Sequence, residues 1–149
     1  MATGSIYPAA GFHFSVAFEL FPQRDIDFRF REVSGLTVSV DTEDVREGGE
    51  NRFVHKLPEK TTYSDIVLKR GFFTGSNIID WCRDAIENFN FKPTNVLISL
   101  LNEKHEPITS WHIVHAIPTR WEISSFNAEQ SEVVIETLTL SYHYFKISS

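Results

Sequence analysis

The stretch FHFSVAFEL, Phe12 to Leu20, decides how this chain is to be read. Phe12, Phe14, Val16, Phe18 and Leu20 fall on one face of an extended backbone, with His13, Ser15, Ala17 and Glu19 on the other. A helix would scatter these residues around its axis, because its side chains repeat about every 3.6 residues rather than every two. Pro22 closes the segment. The same alternation returns in Phe28 and Phe30 against Arg29 and Arg31. It resumes after Ser34-Gly35 as Leu36, Val38 and Val40 against Thr37, Ser39 and Asp41. Each run has one face for a core and one polar face. Further strands are expected from Tyr63 to Phe72, Asn95 to Leu101, Ile108 to Ile117 and Ser131 to Phe145. In the last, Val134, Leu138, Leu140, Tyr142 and Tyr144 are in step. Val133 and Ile135 make the start of its other face too apolar for plain solvent.

One segment, at about 76–90, has the helical period instead. Ile78, Cys82, Ala85, Ile86 and Phe89 converge on one side, with Ile79 and Trp81 at the margins. Asp80, Arg83, Asp84 and Glu87 take the other side. Ser76 is the expected N-cap, Asp80 sets a negative charge in the first turn, and Pro93 marks a boundary beyond. One amphipathic helix on a strand-built body is the architecture these periods predict.

Composition narrows the function. A chain of 149 residues is most simply one domain, 1–149, able to bury a core without staples. Its formal charge of -6 argues against a specific nucleic-acid site, which needs clustered Lys and Arg. Cys82 is the only cysteine, so no internal disulfide can form. No run approaches the roughly 18 apolar residues of a membrane helix. Met1 to Ala10 lacks the basic start and apolar centre of a signal peptide.

Set among the strands is a polar segment, Asp41 to Thr62, with charges of both signs and a Gly48-Gly49 pair near its middle. A connection this long in a small domain is functional, partly structured or disordered. A glycine-hinged arm of mixed charge points to docking on another protein.

Catalytic chemistry finds little support. His112 and His115 are three apart on a strand, which predicts opposite faces. His13, His55 and His143 have no ligand-spaced partner, and His105 and Glu106 sit in a turn before Pro107. A metal site is expected only if ligands converge from distant strands. Cys82 lies on the apolar helix face, as a buried small hydrophobe does. Asp41, Glu43 and Asp44 lack the spacing of a calcium loop, and no nucleophile elbow or phosphate loop is present.

Two surfaces remain. Asp80, Asp84 and Glu87 form an acidic stripe that is either a solvated helix face or a docking strip for a basic element. Arg29, Arg31, Thr37 and Ser39 lie on polar strand faces that either meet solvent or line the wet inside of a larger shared barrel.

Several stretches together resemble a known family. They are FRFREVSGLTVSVDTEDVREGGENRFVHKLPEKTTYSDIVLKRG (Phe28 to Gly71), IIDW (Ile78 to Trp81), ISLLNEKHEPITSWHIVHAIPTRW (Ile98 to Trp121) and FNAEQSEVVIETLTLSYHYF (Phe126 to Phe145). Their order and spacing resemble the tail-tube proteins of contractile phage tails and phage-tail-like contractile injection systems. The resemblance implies a mainly β fold, a two-sheet antiparallel β-barrel or sandwich with one flanking α-helix. It implies stacked hexameric rings around a lumen for cargo, with no enzymatic activity and no cofactor.

It further implies an arm at about 41–62 that reaches another copy through Glu47, Gly48, Gly49, Glu50, Asn51 and Arg52. The helix face of Asp80, Asp84 and Glu87 would meet the sheath, and Arg29, Arg31, Thr37 and Ser39 are the lumen candidates. Implied partners are further copies of the chain, sheath, baseplate, tube-initiator or terminator proteins, and cargo. Synthesis and assembly are expected in the cytoplasm, within a phage tail or a particle that can be released. The alternatives are a specialised tube initiator at the baseplate end, a small metal-dependent β-barrel enzyme, and a monomeric carbohydrate- or peptide-binding sandwich using exposed Trp111 or Trp121.

Overall fold

A computed structural model describes residues 13–20, 29–46, 48–49, 52–72, 75–125, 129 and 134–148. Strand β1 (His13–Phe18) is followed by β2 (Arg29–Phe30), β3 (Glu32–Ser34), β4 (Val38–Val45), β5 (His55–Tyr63) and β6 (Ile66–Gly71). Helix α1 (Asn77–Asn88) then leads to β7 (Thr94–Leu101), β8 (Pro107–Ile123), β9 (Ile135–Ser141) and β10 (Tyr144–Ser148). The main sheet runs β2-β1-β7-β8-β9-β6-β3, every pair antiparallel. Its two ends, β2 and β3, are separated only by Arg31, whose backbone N donates to the Lys69 carbonyl at 2.8 Å. The sheet therefore closes on itself into a barrel, and β10 adds to β8 as a side branch.

β8 makes this closure possible. Its first part pairs with β7 and its last part with β9, and the register slips between Thr94 and Val96 and again between Pro118 and Arg120. Both slips place the extra residue on β8, so each is a bulge that bends and twists the strand. Pro118, which cannot donate to a ladder, sits at the second with its side chain fully buried. The first bulge alters the histidine expectation. His115 takes a left-handed φ of 61°, the alternation loses step, and His112 and His115 are both exposed while Ile113 and Ala116 are buried.

Val16, Phe18, Ile66, Leu68, Val96, Ile98, Ile113, Leu138 and Leu140 fill the barrel, with Ile78, Trp81 and Cys82 of α1 closing one side. Burying each large side chain is worth about 1.5–3 kcal/mol. Burial pushes the Cys82 thiol up to about 12, Glu136 adding to the effect and Arg70 opposing it. Tyr63 belongs to β5, so the expected strand from Tyr63 to Phe72 begins at Ile66 instead. The expected strand from Ser131 to Phe145 is broken in two between Ser141 and Tyr144. Phe145 is therefore buried and Tyr144 exposed, which reverses the expected phase.

The helix starts as expected, with the Ser76 hydroxyl accepting from Ile78 N at 3.1 Å. Its buried stripe is Ile78, Trp81, Cys82 and Ala85. Ile86 lies about a quarter turn off that stripe and is 54% exposed. Phe89 ends the helix in the left-handed conformation, φ 53°, and is 81% exposed. Both were expected on the apolar face. Trp81, expected at the margin, is in the core because the stripe is centred one side of Ile78.

Gly35 carries the chain from β3 into β4. Its φ of +89° suits glycine, and a Cβ there would lie 2.0 Å from the Asp65 carbonyl oxygen. Gly35→Ala is expected to cost about 3 kcal/mol or more, read as a lowered urea midpoint. Phe89→Gly should raise the stability of the isolated chain by about 1 kcal/mol in the same assay, because glycine suits a left-handed C-terminal cap and little packing is lost.

Candidate functional site: the assembly surfaces

The root of α1 is tied to the barrel by a buried polar network. Arg70 on β6 and Glu136 on β9 are register partners, each 2% exposed, with Arg70 Nε donating to Glu136 Oε2 at 2.8 Å. Arg70 Nη2 donates to the Ser76 hydroxyl at 2.9 Å, and the guanidinium lies 5.0 Å from the Phe30 ring centre. Trp121 Nε1 of β8 donates to the second Glu136 oxygen at 2.7 Å. Three strands and the helix cap thus share one ion pair. Trp121 is held inward by this bond and partly buried, and Trp111 packs against the core, so neither is an exposed platform. Sequence reading missed the pair, since Arg70 and Glu136 look like ordinary strand-edge charges. The one available signal was Glu136 in step with Val134, Leu138 and Leu140.

The helix stripe is less purely acidic than its spacing suggests. Asp80 and Glu87 are exposed, but Glu87 pairs with Arg83 at 3.4 Å. Asp84 accepts from the side chains of Asn88 and Asn90 at 3.0 and 2.8 Å, with Lys92 Nζ at 3.9 Å. Asp80, Arg83, Asp84, Glu87 and Lys92 share an open groove with Trp81 and Leu20.

The expected arm is a folded β-ribbon. β4 and β5 pair from Val38↔Tyr63 to Val45↔His55, and neither pairs with another strand among the described residues. No residue of either strand is buried, and Val38, Val40, Phe53 and Leu57 are all 44% exposed or more. Gly49 supplies a φ of +91° near its tip. Gly48, Gly49 and Arg52 are exposed there, while Glu47, Glu50 and Asn51 lie outside the described residues.

Among the described residues, the ribbon is anchored at its base. The Tyr63 ring meets Phe145 at 5.1 Å, and Tyr142 donates from its hydroxyl to the Ser64 carbonyl at 2.6 Å. Burial, and after it Asp65 and Tyr63, push the Tyr142 phenol up to about 12. Of the lumen candidates, Thr37 and Ser39 are exposed at this base. Arg31 lines a charged groove with Glu32, Lys69 and Glu122, and the Arg29 side chain lies outside the described residues.

The fold brings four histidines into two pairs that spacing did not show. His13 Nε2 and His105 Nδ1 are 2.6 Å apart, and the His115 and His143 rings stack at 4.1 Å. Among the described residues, no three His, Cys, Asp or Glu side chains gather as a metal site.

Residues 10–146 match the model of the T4-like virus tail tube protein gp19 family. The chain belongs to that family. It is a tail tube structural subunit, and a solved chain from the anti-feeding prophage (AFP) baseplate, 6-fold symmetrised, has the same fold. That chain is 31% identical at a TM-score of 0.80, over 99% of this chain and 97% of that one. A chain from the PVC extracellular contractile injection system, in its extended sheath-tube complex, is 26% identical at 0.77, over 97% and 93%. Hcp1 from Salmonella typhimurium shares the fold at 12% identity and 0.59, over 93% and 86%. No curated protein matches the chain by sequence. The tail tube family and its β-barrel with one helix are as the sequence resemblance implied, and nothing in these relatives supports the metal-enzyme alternative.

Removing one partner of the buried ion pair tests what holds this tube fold. Glu136→Gln is expected to lose about 3–5 kcal/mol, because the buried Arg70 charge loses the carboxylate that faces it. The double change Arg70→Met, Glu136→Leu should recover most of that loss in the same urea titration.

Proposed function

We propose that this tail tube protein acts as a non-enzymatic building block that joins further copies into stacked hexameric rings around a lumen. The carrying observation is the β4–β5 ribbon. A two-stranded hairpin with no buried residue is marginal alone in water, so its stability has to come from a partner. In this reading the ribbon tip, with Gly48, Gly49, Arg52 and the neighbouring Glu47, Glu50 and Asn51, reaches the next ring. Mixed charges suit that contact, because a surface that meets its own copies needs both signs.

Thr37, Ser39 and the arginines of the β2–β3 bend are the proposed polar lining. A polar wall lets cargo pass without sticking. Asp80, Asp84 and Glu87 are proposed to face a sheath, in line with the sheath-tube complex that holds one relative. The proposed setting is a phage tail or extracellular contractile particle assembled in the cytoplasm.

A second reading is a specialised copy at the baseplate end, favoured by the relative from a baseplate structure. Electron microscopy of concentrated pure protein separates the readings. Long stacked tubes are expected of a main tube subunit, and single rings that elongate only with a second tube protein are expected of an initiator. No rings under any condition, even with baseplate components, overturns both. Gly49→Pro is expected to shorten or abolish stacking while the melting curve and circular dichroism stay unchanged, since Gly49 needs a positive φ at a site with open space around it. Loss of folding instead would place the ribbon in the core.

A further inference from the structure

Two histidines aim their ring nitrogens at one spot on the outside of the barrel. His13 begins β1, and His105 sits in the turn between β7 and β8. His13 Nε2 and His105 Nδ1 are 2.6 Å apart, with the ring centres 4.5 Å apart and the ring planes at 60°. Both residues are held in place by the backbone. His13 is the register partner of Leu101, the last residue of β7.

The turn that carries His105 is fixed by Asn102. Its side-chain oxygen accepts from Lys104 N at 2.8 Å and from Glu106 N at 3.0 Å, while its backbone N donates to the Glu106 carbonyl at 2.9 Å. His105 donates from its backbone N to the Asn102 carbonyl at 3.0 Å and takes a left-handed φ of 63°. A residue other than glycine kept in that conformation has its side-chain direction set by the turn around it.

The surroundings suit a cation. Glu103 and Glu106 outweigh Lys104 in the same turn. An imidazole whose proton is on its far nitrogen offers a lone pair at the near one. Two such lone pairs facing each other repel unless a positive centre lies between them. That centre is either a proton or a metal ion.

We propose that His13 and His105 form a two-imidazole site for a late first-row divalent metal ion, which clips the start of β1 to the β7–β8 turn. Imidazole suits Zn²⁺, Ni²⁺ and Cu²⁺. Two nitrogens on a tetrahedral zinc ion, each about 2.0–2.1 Å from it, stand about 3.4 Å apart, so the rings have to part by less than about 1 Å. His105 is exposed and His13 half-buried, which leaves room for that movement. Two imidazoles are fewer than the protein ligands of a structural zinc site, so water completes the coordination and the ion exchanges.

The neighbouring histidines do not share this geometry. The His115 and His143 rings stack with their planes at 19°, which keeps their nitrogen-bearing edges from converging on one point. His112 is the partner of Leu97, which pairs with Ala17, four residues and about 13 Å along β1 from His13.

The site lies within one chain and does not depend on the tube reading. Calorimetric titration of Zn²⁺ into the untagged full chain is expected to show one site per chain. Removing even a hydrogen-bond partner of a metal ligand costs about 10–100-fold in affinity. His13→Ala and His105→Asn, which remove a ligand, are each expected to weaken the site by at least about tenfold. Asparagine tolerates a left-handed φ, so the turn survives, and an unchanged melting curve without metal checks this. Zn²⁺ is expected to raise the melting temperature of the parent chain and of neither variant, because an ion that binds only the folded chain stabilises it. The double change His115→Ala, His143→Ala is expected to titrate like the parent. No Zn²⁺ site in the parent, parental affinity in either single variant, or loss of the site in the double variant overturns the proposal.

Discussion

The Arg70–Glu136 ion pair is the constraint on which the rest of the structure depends. An isolated charge in an apolar barrel would cost several kcal/mol, and each of these groups offsets the other's burial. Arg70 also bonds Ser76 and Glu136 also bonds Trp121, which ties β6, β9 and the bulged end of β8 to the helix cap. A buried pair of this kind adds little net stability over well-packed apolar residues, but it tolerates few alternative arrangements. Moving β9 by one residue would turn Glu136 outward and strand Arg70 inside. The pair therefore fixes register where the hydrophobic core alone would accept more than one.

With the barrel held in register, the ribbon is left free of it. β4 and β5 leave the barrel at Gly35 and return at Ser64, anchored by Tyr63 and Tyr142. No residue of either strand is buried, and Tyr63 at the base packs against the core. The core lies in the barrel, and the ribbon stands on it through Tyr63 and Tyr142. The left-handed Phe89 at the helix end and the exposed Ile86 beside it are further surface features that the isolated chain leaves uncovered.

Much of this was legible in the residues. The step of Val16 and Phe18, that of Leu138 and Leu140, and the period of Ile78, Cys82 and Ala85 follow from local backbone geometry, which depends only on neighbours in the chain. Ser76 was legible as a cap for the same reason. Leu20, expected in step with Val16 and Phe18, lies beyond β1 and is 44% exposed, and Phe12 lies outside the described residues. The errors of strand phase in β8 share a physical cause as well. Bulges at His115 and near Thr119 insert residues that break the alternation, and Pro118 was the local sign of the second. The break between Ser141 and Tyr144 reversed the phase of Phe145 in the same way.

By itself the sequence determined that the chain alternates into strands around one amphipathic helix, and that its charged segment around Gly48-Gly49 is set apart from the core. Those are properties of neighbouring residues. Only the tertiary structure decided that this segment is a paired ribbon, that Arg70 and Glu136 are partners, and which histidines meet. Each depends on residues distant in the chain meeting in space, and the spacing of residues along the chain does not record which ones meet.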